Sequence, residues 1–143
     1  MAGKQHTSNT GRPTTAAHLV GEHHETLAAN FLGRRGLRLL QRNFRCRGGE
    51  IDLIMRDGET VVFVEVRFRR SQRHGGAGES ITMAKQRRLR RCANYYLLQH
   101  QRAVGSLPAC RFDVIAMTIP AVGQQQPRID WLINVIDGGR GMR

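Results

Sequence analysis

Apolar residues recur at helical spacing from about His18 to Arg35, where Leu27, Ala28, Phe31 and Leu32 form one stripe and Gly33 and Gly36 mark its end. Glu25 sits one turn before Ala28 and two before Leu32, so it borders the stripe; Glu22 aligns with Ala29 and points less inward. The apolar period then changes to that of strands at Leu37–Phe44, Gly49–Met55 and Thr60–Phe68. Arg56-Asp57-Gly58-Glu59 joins the last two, and Asp-Gly between alternating apolar runs is a strong hairpin signal. A glycine-rich loop, His74 to Gly78, leads to a second helix over Ser80–Gln101 whose buried face is Leu89, Ala93, Tyr96 and Leu97. Arg111–Thr118 and Ile129–Ile136 read as two further strands. Polar composition makes residues 1–17 and 137–143 tails, leaving one domain over 18–136.

With Asp57-Gly58 at the centre of the turn, Asp52 opposes Phe63 and Glu50 opposes Glu65. Glu50, Asp52 and Glu65 then project from one face of the hairpin, with Arg67 beside them. Ile51, Leu53, Val62, Val64 and Val66 form a core on the other face. Carboxylates set opposite one another need a counter-charge. A hard divalent cation, Mg²⁺ or Mn²⁺, supplies it through Asp52 and Glu65. Such an ion activates water and offsets charge on a phosphate, and Arg67 can stabilise the same charge. The bland alternative is a solvated face on which Glu50 and Glu65 pair with arginines. Acids bracketed by Ile54 and Phe63 on an apolar sheet favour a site.

Charge sharpens the picture. The chain carries 23 Lys+Arg against 11 Asp+Glu, for a net charge of +12. Yet Glu50, Asp52, Asp57, Glu59 and Glu65 cluster with Arg56 alone among them. An acidic island in a basic frame suits a protein that holds a cation against a polyanion, so nucleic acid is expected before membrane. Lys85, Gln86, Arg87, Arg90 and Arg91 on the second helix, with Arg69, Arg70 and Arg73 after the third strand, are the expected phosphate contacts. Aromatics make up 6% of the chain, too few for an extended base-stacking platform. Cys46, Cys92 and Cys110 are odd in number and far apart, which argues against a disulfide framework or zinc ribbon and for a reducing cytoplasm. No segment has the length or polarity of a signal peptide or membrane span. The glycine loop lacks the Lys-Ser/Thr ending of a phosphate-binding loop. His23 and His24, adjacent on a helix, diverge too far to share an ion. Asp113 reads as a buried acid paired with an arginine.

Glu25, Gly49-Glu50-Ile51-Asp52 and Glu65-Val66-Arg67 together resemble the Holliday-junction-resolvase-like branch of the PD-(D/E)xK nuclease superfamily. Gly21-x-x-x-Glu25, Arg42-Asn43-Phe44-Arg45, Phe63-Val64-Glu65-Val66-Arg67, Lys85-Gln86 and Arg111-Phe112-Asp113-Val114 narrow the resemblance to the YraN-type family of small bacterial proteins. It spans Val20 to Ile136. The resemblance implies a restriction-endonuclease-like α/β fold, a mixed sheet flanked by helices with an αβββαβ core. It also implies Asp52 and Glu65 as metal ligands, aided by the Val66 carbonyl, with Glu25 reaching in from the first helix and Glu50 in support. Resolvase relatives are two-fold dimers, so a homodimer is implied as well, and the nuclease resemblance implies DNA before RNA. Arg67 stands where the superfamily usually has lysine, and arginine effectively never gives up its proton. The function expected is metal-dependent hydrolysis of DNA phosphodiesters at branched or distorted DNA, with Glu25, Asp52, Glu65 and Arg67 as the catalytic set. The alternatives are a non-catalytic nucleic-acid-binding module of the same fold, or a basic accessory protein of the ribosome or RNA.

Overall fold

The computed structural model describes residues 16–69, 81–120 and 122–136. Helix α1 (Ala16–Arg34) precedes strands β1 (Arg38–Cys46), β2 (Gly49–Asp57) and β3 (Thr60–Arg69), then α2 (Met83–Val104), β4 (Cys110–Thr118) and β5 (Arg128–Leu132). The strands form one sheet in the order β1-β2-β3-β4-β5. β1, β2 and β3 are an antiparallel meander, β4 lies parallel to β3, and β5 runs antiparallel to β4. Parallel neighbours need a crossover, and α2 lies on it. This is the mixed sheet flanked by helices of a restriction-endonuclease-like core, in the expected αβββαβ order with a fifth strand added.

The strands β1 to β4 shift from expectation by one or two residues at their ends, and three elements differ in ways the local structure explains. α1 starts at Ala16, inside the segment read as a tail. α2 starts at Met83, where the Thr82 side chain accepts from the Lys85 amide, and ends at left-handed Gly105, whose amide bonds to the Gln101 carbonyl. β5 stops at Leu132, because Asn134 takes a positive φ of 57° and turns Ile136 into the core. Residues 1–15 and 137–143, the glycine loop, Arg70 and Arg73 lie outside the described residues.

Both sheet faces are covered. Ile54, Val61, Phe63, Phe112 and Val114 pack with Leu89, Cys92, Ala93 and Leu97 of α2. Leu53, Met55, Val62, Val64, Ile115 and Met117 pack with Ala28 and Leu32 of α1. Hence Val61 to Val64 is a continuous buried run, as expected for a strand enclosed on both sides. The face that carries Ile54 and Phe63 is therefore a second core, not a solvated platform.

The β2–β3 register differs from the one the turn dipeptide suggested. Asp57 pairs with Thr60 and Ile54 with Phe63, so Gly58-Glu59 forms the turn. Gly58, at φ 57°, holds the first turn position, where a tight hairpin of primed sense demands glycine. Asp57 stays in the strand, its carboxylate held 2.9 Å from Arg111 Nη1. The shift moves each partner by two positions, so the paired side chains from Leu53 to Asp57 keep their faces, and the same register carried on would set Asp52 level with Glu65 instead of Phe63.

A second irregularity lies one strand over. Arg42 pairs with Leu53 and Phe44 with Ile51, but Asn43, at φ 51°, interrupts the ladder opposite Asp52. The alternation inverts here: Leu53 packs on the α1 side, whereas Ile51 joins Phe44 on the α2 side. Ile51 was expected on the same core as Leu53.

Two tertiary links close the structure. Cys46 at the end of β1 is disulfide-bonded to Cys92 of α2 across a sequence separation of 46, which corrects the expectation, drawn from the odd number and wide spacing of the cysteines, that they form no disulfide. Asp113, 1% exposed, accepts from Arg111 Nε at 3.1 Å, Trp131 Nε1 at 3.0 Å and the Asn134 amide at 2.9 Å. It is the buried, arginine-paired acid expected from its place in the strand.

Asp113→Ala should cost about 3–5 kcal/mol, because it removes the shared acceptor of Arg111, Trp131 and the Asn134 amide, and urea denaturation measures this loss. Loop-closure entropy assigns the Cys46–Cys92 bond up to about 4 kcal/mol. Reductant should therefore lower the urea midpoint of the wild type and leave that of Cys92→Ser unchanged.

Candidate active site

β2 and β3 pair only as far as Leu53 and Val64, and the strands part beyond. In the gap, Asp52 Oδ2 accepts the Val66 amide at 2.8 Å, replacing the carbonyl that a regular ladder would offer. A carboxylate is thus built into the sheet at the point where the Asn43 irregularity releases it. Glu65, 7% exposed, follows Val64 on β3 and pairs with Lys85 Nζ from the first turn of α2.

Glu25 approaches from α1. Its side chain is 13% exposed, with Arg42 Nη2 at 3.9 Å. The same Arg42 nitrogen donates to the Glu22 carbonyl at 3.1 Å and Thr26 Oγ1 at 3.0 Å, so it clips α1 to β1 and holds Glu25 over the gap. Glu50, on the other side, is exposed and lies 3.7 Å from Arg45 Nε. Carboxylate oxygens of Glu25, Glu50 and Asp52 fall within 4.8 Å of one another. Glu50, Asp52, Glu65, Lys85 and Arg88 line a common cavity of about 300 Å³, closed by Gly49 and Leu89.

The electrostatics are unbalanced. Burial, then the charge of Glu65, pushes the Asp52 carboxyl up to about 7, against the opposing bond from Val66. Burial likewise raises Glu25, opposed by a hydrogen bond from Asn43 and the charge of Arg42. Glu25 Oε2 is buried without a hydrogen-bond partner. A buried oxygen that accepts no hydrogen bond, three converging carboxylates and a carboxyl whose pKa lies near 7 fit a hard cation such as Mg²⁺ or Mn²⁺. The fit differs in detail from the expected ligand set: Glu50, expected in support, belongs to the converging trio, and Glu65 is engaged by Lys85.

Other expected residues take varied places. Lys85, read as a phosphate contact, sits in the acid cavity. Its signal was present in the sequence, since Lys85 precedes Leu89 and Cys92 at the spacing of one helix face, the buried one. Arg88, not singled out beforehand, shares the cavity. Gln86 Nε2 donates to the Ile81 carbonyl at 2.9 Å and secures the entry to α2. Arg87 and Arg91 are exposed, and Arg90 is half-buried. Arg67 and Arg69 continue β3 beside Ala116 and Thr118 of β4. His24 stacks on Phe68, ring centroids 4.1 Å apart, and so anchors α1 to β3. A larger cavity of about 600 Å³, between the end of α1 and the approach to β5, has no acid in its lining. No described helix is long and apolar enough to cross a membrane.

The model of the uncharacterised protein family UPF0102 matches residues 24–117, and the chain belongs to this family. A UPF0102 protein of Herminiimonas arsenicoxydans is 47% identical over 126 residues, covering 88% of this chain and 93% of that protein. Another, from Aeromonas hydrophila, is 52% identical over 114 residues, covering 80% and 82%. A third, from Nitrosomonas europaea, is 50% identical over 117 residues, covering 82% and 92%.

The raised Asp52 carboxyl dictates a pH dependence. Between its ordinary value of 3.8 and about 7, the folded state keeps a proton that the unfolded chain has lost. Stability should therefore fall as pH rises through that window and level off above it, by a few kcal/mol at about 1.4 kcal/mol per pKa unit. Asp52→Asn should flatten the decline and exceed the wild type in stability above neutrality. Urea denaturation across pH, without divalent cation, measures both.

Proposed function

We propose that this UPF0102 protein is a metal-dependent nuclease that hydrolyses DNA phosphodiesters at the cavity between the start of β2 and the start of α2. The observation that carries this reading is the convergence of Glu25, Glu50 and Asp52, with a buried Glu25 oxygen among them that accepts no hydrogen bond and has only the Arg42 guanidinium at 3.9 Å. These three residues would hold Mg²⁺ or Mn²⁺, which supplies activation of water and compensation of phosphate charge when bound.

The chain's own groups do the rest. The Val66 amide fixes Asp52, and Arg42 fixes Glu25, so the carboxylates are positioned before any ligand arrives. Lys85, steered by Glu65, presents an ammonium where a scissile phosphate would lie. It takes the part that the superfamily pattern gives to the position of Arg67. Arg88 at the cavity rim binds a neighbouring phosphate. The net charge of +12 draws a polyanion to a cleft whose acids would repel it without a cation. Arg67 in place of lysine favours a second reading, a binding module of the same fold without hydrolysis.

The test is incubation of purified protein with linear, nicked, flapped and four-way DNA in Mg²⁺, Mn²⁺ or EDTA. Cleavage should require the metal and vanish in Asp52→Asn. Lys85→Ala should lose about a hundred- to a thousandfold in rate, the usual effect of removing one transition-state stabiliser, while Arg67→Lys changes little. Salt-sensitive binding without cleavage in any metal selects the binding module instead.

A further inference from the structure

Beside the acid cavity lies another, of about 470 Å³, lined by Arg45, Cys46, Arg47, Arg91 and Tyr95. We propose that it seats one unpaired nucleotide of a DNA substrate, next to the phosphodiester held by the acids, so that the preferred substrates are forks, flaps and gaps. The inference rests on the nuclease reading of the neighbouring cleft and names the substrate class for it.

The lining has the chemistry of a nucleotide site. Tyr95 is 52% exposed, yet its ring is steadied by buried Phe44, with centroids 6.1 Å apart. A fixed, half-bare aromatic face stacks on any base, whatever its identity. Arg45, Arg47 and Arg91 bring three guanidinium groups for phosphate and aliphatic stems for the sugar and base edge. Among the described residues, the lining contains no carboxylate, in contrast to its neighbour. The volume is within the roughly 300–1,000 Å³ of small-ligand sites.

The two cavities are continuous along the chain. Arg47 lines one, Gly49 the other, and Gly48 lies between. A Cβ on Gly48 would stand 3.1 Å from Arg91 Nη1, and one on Gly49 3.1 Å from Cys92 Sγ. A side chain at position 49 would crowd the helix, whose Arg88 carbonyl lies 3.4 Å away, and the left-handed φ of 87° at Gly48 favours glycine, so the turn passes as bare backbone and a strand can cross it. Arg88 and Arg91 lie one turn apart on α2 and serve the acid cavity and the basic one respectively. Arg45 meets Glu50 across the same boundary, and the Cys46–Cys92 bond ties the end of β1 to α2 there. A base paired within a duplex cannot present its face to a ring in a cavity, whereas an unpaired or extruded one can. The few aromatics of the chain rule out a long stacking platform but not a one-base seat.

Fluorescence anisotropy in EDTA, where cleavage is blocked, separates this inference from the nuclease reading. The probes are labelled DNAs of equal length: a blunt duplex, a Y-shaped fork, a 5′ flap and an RNA fork. The wild type should bind the DNA fork and flap about tenfold more tightly than the duplex. Tyr95→Ala should erase that preference, and Tyr95→Phe should keep it. Arg47→Ala should weaken fork binding and reduce its salt slope by about one unit. Equal binding of fork and duplex, a preference that survives in Tyr95→Ala, tighter binding of the RNA fork, or no DNA binding at all overturns the proposal. A Tyr95-dependent fork preference in a protein that cleaves nothing upholds this site and removes hydrolysis alone.

Discussion

The Val66 amide donating to the Asp52 carboxylate is the contact on which the rest of the site depends. A sheet interior tolerates an unpaired backbone amide poorly, and a side-chain oxygen placed in the ladder satisfies it. The same bond commits a carboxylate to a position where water is scarce and other acids are near. Desolvation and repulsion then work against its charge, which is why the Asp52 carboxyl is pushed up to about 7. The strands must separate beyond Leu53 and Val64 to admit it, and that separation is the cavity.

Asp113 shows what a buried acid looks like when the fold satisfies it completely. It accepts from Arg111, Trp131 and the Asn134 amide, and so ties β4 to β5 and, through Arg111, to the β2–β3 turn. Glu25 and Asp52 lie in the same small domain without comparable compensation, and one Glu25 oxygen has no hydrogen-bond partner. The difference is the physical ground for treating one acid as architecture and the others as chemistry. Deficits of this kind persist where something outside the chain completes them.

α2 connects the core to the acid cavity and to the basic one. Its buried face packs on the sheet through Leu89, Cys92, Ala93 and Leu97. Its first turn carries Lys85 to Glu65, and its middle carries Arg91 and Tyr95 past the β1–β2 turn. The glycines of that turn allow the close approach, and the Cys46–Cys92 bond holds it. Cation, aromatic ring and core are therefore set by a single helix register.

The sequence by itself determined the elements and most of the acids. Local periodicity reports which side of a strand or helix is buried, so both helices, the five strands and Glu25, Glu50, Asp52 and Glu65 were legible, as was the buried role of Asp113. The motifs also carried the family, to which the match over residues 24–117 assigns the chain. Only the tertiary structure decided the register at Gly58, because Asp57 is held in its strand by Arg111, a residue of β4. Only it decided that Ile51 crosses to the other core, since the inversion comes from left-handed Asn43 on the neighbouring strand. The same holds for Lys85 beside Glu65, Cys46 against Cys92 and Tyr95 among arginines. Each of these joins positions distant in sequence, and a one-dimensional pattern records how a residue sits on its own element, not which element folds back to meet it.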